Sequence, residues 1–66
     1  MKFSPTQFRR AKKKADITFK ALADEIGVSE RSIYAWLEGS VVPKSEHLFR
    51  LAGALGVPAD KLMVGG

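Results

Sequence analysis

The sequence predicts an all-α domain of five short helices. Along most of the chain apolar residues recur at spacings of three and four, the period of a helix that buries one face. These periodic stretches tend to follow Ser or Thr and to stop at Gly, the residue types that begin and end helices. No stretch alternates apolar and polar residues for long enough to indicate a strand. Together these observations favour helices packed on helices.

The chain has 66 residues and no cysteine, so we expect one small domain without disulfides. We assign residues 1–64 to that domain and residues 65–66 to a flexible tail or the start of a linker. A domain of this size buries only about 60% of the surface that its unfolded chain exposes, which favours compact helices. The longest apolar run has seven residues, whereas a membrane span needs roughly 20. With no visible signal peptide, we expect a cytoplasmic protein without membrane contact.

Helix 1 is predicted to begin after Ser4 and to end near Ala15. Ser4 is a suitable N-cap, a proline follows it at the first helical position, and Gln7 completes a capping box. Phe3 and Phe8 stand at the spacing of a hydrophobic staple across the start of the helix. These signals fix where the helix begins.

Helices 2 and 3 show the same signals at both ends. Thr18 and Ser29 are the predicted N-caps, and Gly27 and Gly39 are the predicted stops. Only residues 27–29 separate the two helices, and so short a turn forces a tight angle between them. We expect that angle to be filled by small and apolar side chains, namely Leu22, Ala23, Ile26, Val28, Ile33 and Trp36.

Residues 40–43 are predicted to form a loop that leads into helix 4. This helix should begin at Lys44 or Ser45 and run to about Leu55, where a glycine follows. A short helix 5 is predicted near residues 59–63.

The stretch from Leu22 to Trp36 reads L-A-x-x-I-G-V-S-x-x-S-I-x-x-W. On this pattern the chain resembles the Cro/C1-type (XRE-type) helix-turn-helix domains of phage repressors and related bacterial regulators, over about residues 5–63. The segment LFRLAGALGVPADKL, residues 48–62, is also similar to the fourth and fifth helices of that family. The resemblance implies a compact, lambda-repressor-like fold in which helices 2 and 3 form the helix-turn-helix.

The resemblance also implies which residues touch DNA bases. In the family the third helix enters the major groove, and its exposed N-terminal residues reach base edges. The matching positions here are Glu30, Arg31, Ser32, Tyr34 and Ala35. Arg31 suits guanine because its planar fork matches two acceptors, and the Ala35 methyl suits thymine. Glu30 either accepts from cytosine or stabilises the positive end of helix 3.

Two of these positions keep a second interpretation. Arg31 could be a solvated surface side chain. Tyr34 either reaches phosphate and sugar or packs at the edge of the domain.

Phosphate contacts are implied at the start of helix 2 and around the loop after helix 3, and a basic helix 1 adds to them. Residues 1–20 carry seven basic groups and one acid, a net charge of +6, whereas residues 21–66 carry four basic groups and six acids, a net charge of −2. Such a charge run could attract phosphate or could simply be a solvated helix face. The candidate phosphate contacts are Thr18, Phe19, Lys20, Ser40, Lys44, Arg9 and Lys12.

Three departures from the family pattern stand out. Phe19 occupies a position where the family often has a glutamine that binds phosphate and braces a base-contacting side chain; the phenylalanine side chain is expected to do neither. The family often pairs an arginine at the position of Lys12 with a glutamate at that of Leu37. Because the acid is missing here, we expect Lys12 to face solvent or phosphate. Val41 and Val42 replace basic loop residues, and we expect them to pack beneath helix 4 or, alternatively, to contact a dimer partner or another protein.

The leading hypothesis is that the chain binds double-stranded DNA sequence-specifically as a transcriptional regulator, repressor-like and associated with the nucleoid. A homodimer on half-sites about one helical turn apart is the expected arrangement, formed on DNA if not before. The alternative is a protein-interaction module, or an N-terminal targeting domain of a larger protein with weak or no specific DNA binding.

An enzyme is not expected. The chain has no cysteine and a single histidine, His47, which has no partner at metal-ligand spacing and is expected on the surface. We therefore predict no catalytic residue, no metal and no cofactor. Trp36 is expected in the core rather than as a stacking platform for bases.

Overall fold

The computed structural model describes residues 2–65, so Met1 and Gly66, and with them half of the predicted flexible tail, lie outside the described chain. Within that range four α-helices follow one another. They are α1 (Pro5–Ala15), α2 (Phe19–Ile26), α3 (Glu30–Glu38) and α4 (Ser45–Leu55). The first four predicted helices are confirmed, with their predicted ends.

The helix starts follow from local hydrogen bonds. The side chains of Ser4, Thr18 and Ser29 each accept a bond from the backbone amide three residues later, at 3.2, 3.1 and 3.3 Å. Each such cap stabilises a helix by about 1 kcal/mol because it satisfies a donor that the helix itself cannot. α2 and α3 end at Gly27 (φ +87°) and Gly39 (φ +84°), in the left-handed region that disfavours a Cβ. The predicted caps and stops of both helices are therefore confirmed.

The prediction of a fifth α-helix is wrong. Ala59–Leu62 form a single 3-10 turn, too short for an α-helix, and Met63–Val64 continue it as an extended strand, β2. β2 pairs antiparallel with β1, Lys2–Phe3. The domain is thus mostly helical rather than strictly all-α. Strands of two residues leave no alternation in the sequence that could reveal them.

The two-stranded ladder closes the domain at one end of the core. The Ser4 amide donates to the Leu62 carbonyl oxygen at 2.8 Å. The predicted staple pair is also confirmed, since the ring centroids of Phe3 and Phe8 lie 5.9 Å apart. The start and the end of the described chain are therefore anchored on the same core.

The core draws apolar side chains from every helix. Leu22, Ile26, Ile33 and Trp36 are buried as predicted, and Ala23 is only 3% exposed. A small residue at this buried position of α2 lets neighbouring helices pack closely against it. The remaining buried apolar side chains are Phe3, Phe8, Leu51, Ala52, Leu55 and Leu62.

The turn between α2 and α3 is held from two sides. The amides of Gly27 and Val28 both donate to the carbonyl of Ala23, at 2.8 and 3.0 Å. The guanidinium Nη1 of Arg50 on α4 donates to the Ile26 carbonyl at 3.2 Å. These bonds satisfy carbonyls that a helix end leaves unpaired, so the angle between α2 and α3 is fixed by backbone as well as by the core. None of the helices in residues 2–65 combines the length and the apolar character needed to cross a bilayer.

Candidate nucleic-acid interface

One side of α3 is buried in the core and the other side is exposed to solvent. Its inward residues Ile33 and Trp36 are buried, whereas Glu30 and Arg31 are exposed and Tyr34 is 47% exposed. Ser32 and Ala35, the other two predicted base contacts, are half-buried. All five predicted positions can therefore be reached from outside, with the first turn of α3 most open.

Phe19 and Tyr34 form an aromatic pair beside this face. Their ring centroids lie 4.6 Å apart with the planes tilted by 42°. The Phe19 ring packs on Tyr34 of α3, so it supports that side chain by packing and not by the hydrogen bond that a glutamine could make. Tyr34 also does what its second interpretation proposed, since one face packs at the domain edge while about half of the side chain stays accessible.

Lys12 contacts the ring of Phe19, a contact that was not predicted from the sequence. Its ammonium Nζ lies 4.1 Å from the centroid of the Phe19 ring, and the side chain is half-buried. With Leu37 in place of an acid, the cation rests on the electron-rich face of the nearest ring. Such contacts contribute about 0.5–2 kcal/mol. The three side chains of Lys12, Phe19 and Tyr34, which we call the aromatic cluster, tie α1, α2 and α3 together.

An open cleft of about 600 Å³ adjoins the aromatic cluster, between α1, the start of α2 and α3. We call it the α1–α3 groove. It is lined by Arg9, Lys12, Lys13, Asp16, Ile17, Phe19, Tyr34, Leu37 and Glu38. Sequence reasoning missed this groove, although the two departures at Phe19 and Leu37 both fall in its lining.

The start of α2 is electrostatically receptive to anions. It has no acid in its first turn, whereas α3 carries Glu30 and α4 carries Glu46 there. The Thr18 hydroxyl oxygen already accepts the Ala21 amide, which leaves the amides of the first helical residues unpaired within the helix. Uncompensated helix N-termini attract phosphate through these amides and the helix dipole.

The other predicted phosphate contacts lie at accessible positions. Lys20, Lys44 and Arg9 are exposed. Ser40 is also exposed, but its hydroxyl donates to the Ala35 carbonyl at 3.3 Å, which ties the loop to the end of α3. Lys44 is the N-cap of α4 and is exposed, so its ammonium can be reached from solvent.

Val41 and Val42 do not pack beneath α4. They are 51% and 66% exposed, whereas the next residue, Pro43, is buried. Phe49 on α4 is 67% exposed and was not singled out from the sequence. Leu48, Leu51, Ala52 and Leu55 recur at helical spacing along α4, and Phe49 falls outside that stripe, so the periodicity could have marked it as exposed.

His47 is half-buried rather than on the surface, because its ring packs 5.9 Å, centroid to centroid, from that of Trp36. In the part of the chain that the structure describes, no group of three or more His, Asp or Glu side chains could hold a metal ion.

Comparison with known proteins identifies the architecture. Neither the curated proteins nor the solved structures gave a significant match. A family model described as helix-turn-helix matches residues 8–62, from the middle of α1 to the end of the 3-10 turn. That match covers most of the chain and includes α2, the three-residue turn and α3. With its capped helices, buried Ala23 and open α3 face, the chain belongs to the Cro/C1-type helix-turn-helix family of DNA-binding transcriptional regulators.

Proposed function

We propose that the protein binds specific double-stranded DNA sequences as a repressor-like regulator, with α3 lying in the major groove. The observation that carries the proposal is the face of α3 on which Glu30, Arg31 and Tyr34 are exposed while Ile33 and Trp36 hold the helix on the core. A rigidly held helix with an open first turn is what the major groove accepts in this family.

Base readout would rest mainly on Arg31. Its guanidinium can donate two bonds to O6 and N7 of one guanine. Ala35 would contact a thymine methyl, and Glu30 would accept from cytosine or offset the positive end of α3. Ser32 has less freedom, because its hydroxyl lies 3.3 Å from that of Ser29 in the N-cap. One bidentate reader predicts modest discrimination between sequences.

Phosphate binding would position α3. The free amides at the start of α2, at Phe19 and Lys20, would hold one phosphate beside the Thr18 cap. Arg9 and Lys12 on α1, and Ser40 and Lys44 after α3, would hold others. Phe19 would thus contribute through its backbone, while its ring supports Tyr34.

The test is selection of bound duplexes from a random pool, followed by titration at several salt concentrations. We expect an enriched palindrome whose half-sites lie about one helical turn apart. The logarithm of the association constant should fall linearly with the logarithm of salt concentration, with a slope of about −0.9 per neutralised phosphate. No enriched sequence, or binding that does not respond to salt, would contradict the proposal.

A second candidate is a protein-interaction module, favoured by the exposure of Val41, Val42 and Phe49, at 51%, 66% and 67%. Val41 and Val42 follow the end of α3 and Phe49 lies on α4, and exposed apolar side chains of this kind could dock a partner. The two functions separate in one experiment. Alanine substitution of Glu30, Arg31 and Tyr34 together should abolish the preference for the selected duplex. A parent protein that binds all duplexes equally weakly, with no loss on this substitution, would favour the module.

A further inference from the structure

The α1–α3 groove is more than a gap beside the DNA-binding face. We propose that it binds a small aromatic monoanion, such as an aryl carboxylate. Its volume of about 600 Å³ lies within the range of small-molecule sites, about 300–1,000 Å³. This site goes beyond the proposed function, because binding of the anion does not require DNA.

The floor of the groove is aromatic and apolar. Phe19 and Tyr34 already form a tilted pair, and the half-buried Leu37 and Ile17 extend the apolar surface on either side. A third ring placed against this pair removes apolar area from water and adds the edge and face contacts that aromatic rings prefer. An acid at the position of Leu37 would put a charge in this floor, so the missing glutamate is what makes it apolar.

The charge on the lining selects a monoanion. Arg9, Lys12 and Lys13 supply three positive charges, and Asp16 and Glu38 supply two negative ones, a net charge of +1. Lys12 contacts the floor directly, with Nζ at 4.1 Å from the Phe19 ring centroid. The ring satisfies the charge of the ammonium but accepts no conventional hydrogen bond, so its N–H groups can still bind a carboxylate oxygen.

Only a ligand with both parts uses both features. A phosphate group alone would bind Lys12 and leave the aromatic floor exposed to water. A neutral ring would cover the floor and leave the half-buried ammonium without an oxygen. An aryl carboxylate places its ring on the floor and its charge at Lys12, which is why the groove favours this chemistry over either fragment.

The test is titration of the ¹⁵N-labelled protein, without DNA, with 2-naphthoate, followed by amide chemical shifts. We expect saturable shifts at residues 12, 19, 34 and 37, with a dissociation constant on the order of 1 mM or tighter. The uncharged isostere 2-naphthamide and the ring-free anion acetate should each bind about tenfold more weakly or worse. Equal binding of either control, or no saturable shift, would overturn the proposal.

Two variants test the assignment of charge and floor. Lys12→Gln removes the ammonium, and Leu37→Glu puts a carboxylate into the floor. Each should weaken naphthoate binding about tenfold or more. Lys14→Gln, an exposed lysine of α1 outside the groove lining, should leave the affinity unchanged within about twofold. An effect of Lys14→Gln as large as that of Lys12→Gln would show attraction by overall charge and refute the site. If the Leu37→Glu protein does not melt cooperatively, the comparison of naphthoate affinity between Lys12→Gln and Lys14→Gln still tests the site.

Lys12 and Tyr34 belong to both the groove and the proposed DNA surface, so a bound anion would compete with DNA. This consequence rests on the proposed function. Because the titration is done without DNA, its failure would remove the anion site and leave DNA binding standing, and a failure to bind DNA would leave the anion site standing.

Discussion

In the proposed function, sequence-specific binding would depend on Arg31. It is the only basic residue in α3 and lies exposed in its first turn, between Glu30 and the cap-bonded Ser32. Its neighbours can offer a carboxylate, a hydroxyl or a methyl, but none of them can form a bidentate bond to guanine.

Arg31→Ala should weaken binding to the selected duplex by about 1–3 kcal/mol and relax the preference for one guanine. The melting temperature should not change, because the side chain is exposed and supports nothing. Fluorescence anisotropy with matched and mismatched duplexes measures both effects. Arg10→Ala removes the same charge from the exposed side of α1 and should weaken binding to all duplexes alike. An equal effect of the two variants would remove Arg31 from base readout.

Phe19 acts through its neighbours. Phe19→Ala removes the ring that supports Tyr34 and carries the Lys12 ammonium. We expect the free energy of unfolding to fall by about 1–2 kcal/mol and DNA affinity to fall as well. Tyr34→Phe keeps the aromatic pair, so its stability should stay within about 0.5 kcal/mol of the parent. Urea denaturation distinguishes them, and a Phe19→Ala protein as stable as the parent would refute the aromatic cluster.

At the scale of the elements, the turn between α2 and α3 fixes the angle at which α3 would meet DNA in the proposed function. Gly27 has φ +87°, and its amide donates a hydrogen bond to the Ala23 carbonyl. The Arg50 guanidinium donates to the carbonyl of the preceding residue, Ile26. Lack of space is not what requires glycine at this position, since an added Cβ would come no nearer than 3.9 Å to the Arg50 Nη1. Glycine is required because the backbone is in the left-handed region.

Gly27→Ala and Gly53→Ala should therefore have opposite signs. The first forces an L-residue into the left-handed region and should destabilise the domain by about 1–2 kcal/mol. The second lies inside α4, where a Cβ would meet nothing within 4 Å, and should stabilise it by about 0.5–1 kcal/mol. Thermal melting of both variants is the measurement. A Gly27→Ala protein as stable as the parent would refute the conformational explanation.

The helices could be predicted because the residue types at their ends are recognisable in the local sequence. Ser4, Thr18 and Ser29 signal starts through bonds to amides three residues away, information that lies entirely in the local sequence. The strands and the α1–α3 groove could not be predicted in the same way. The groove depends on where Lys12 rests once its usual acid is replaced, and that is decided by a ring seven residues further along and by α3.

At the scale of the whole molecule, charge and exposed apolar surface are separated. The excess of cations lies in residues 1–20, whereas the exposed valines and Phe49 lie after α3. Attraction to DNA and contact with a second subunit would then come from different parts of the surface and could be altered independently.

Val41→Ser combined with Val42→Ser tests that separation. Both side chains are more than half exposed, so the free energy of unfolding should change by less than about 1 kcal/mol. Binding to a single half-site should be unchanged, while cooperative binding to the palindrome should weaken. Analytical ultracentrifugation with each DNA follows the stoichiometry. Undiminished cooperativity would place the dimer contact elsewhere, with Phe49→Ser as the next variant.

The pairing of β1 with β2 sets residues 2–3 beside residues 63–64. The described chain is thus topologically close to a ring, with only a short gap between its two ends. A few-residue linker would close that ring, and new termini could then be opened at an exposed position such as Gly56 without removing any core side chain. We therefore expect the same arrangement of helices in space to form when the helices follow one another in a different order along the chain.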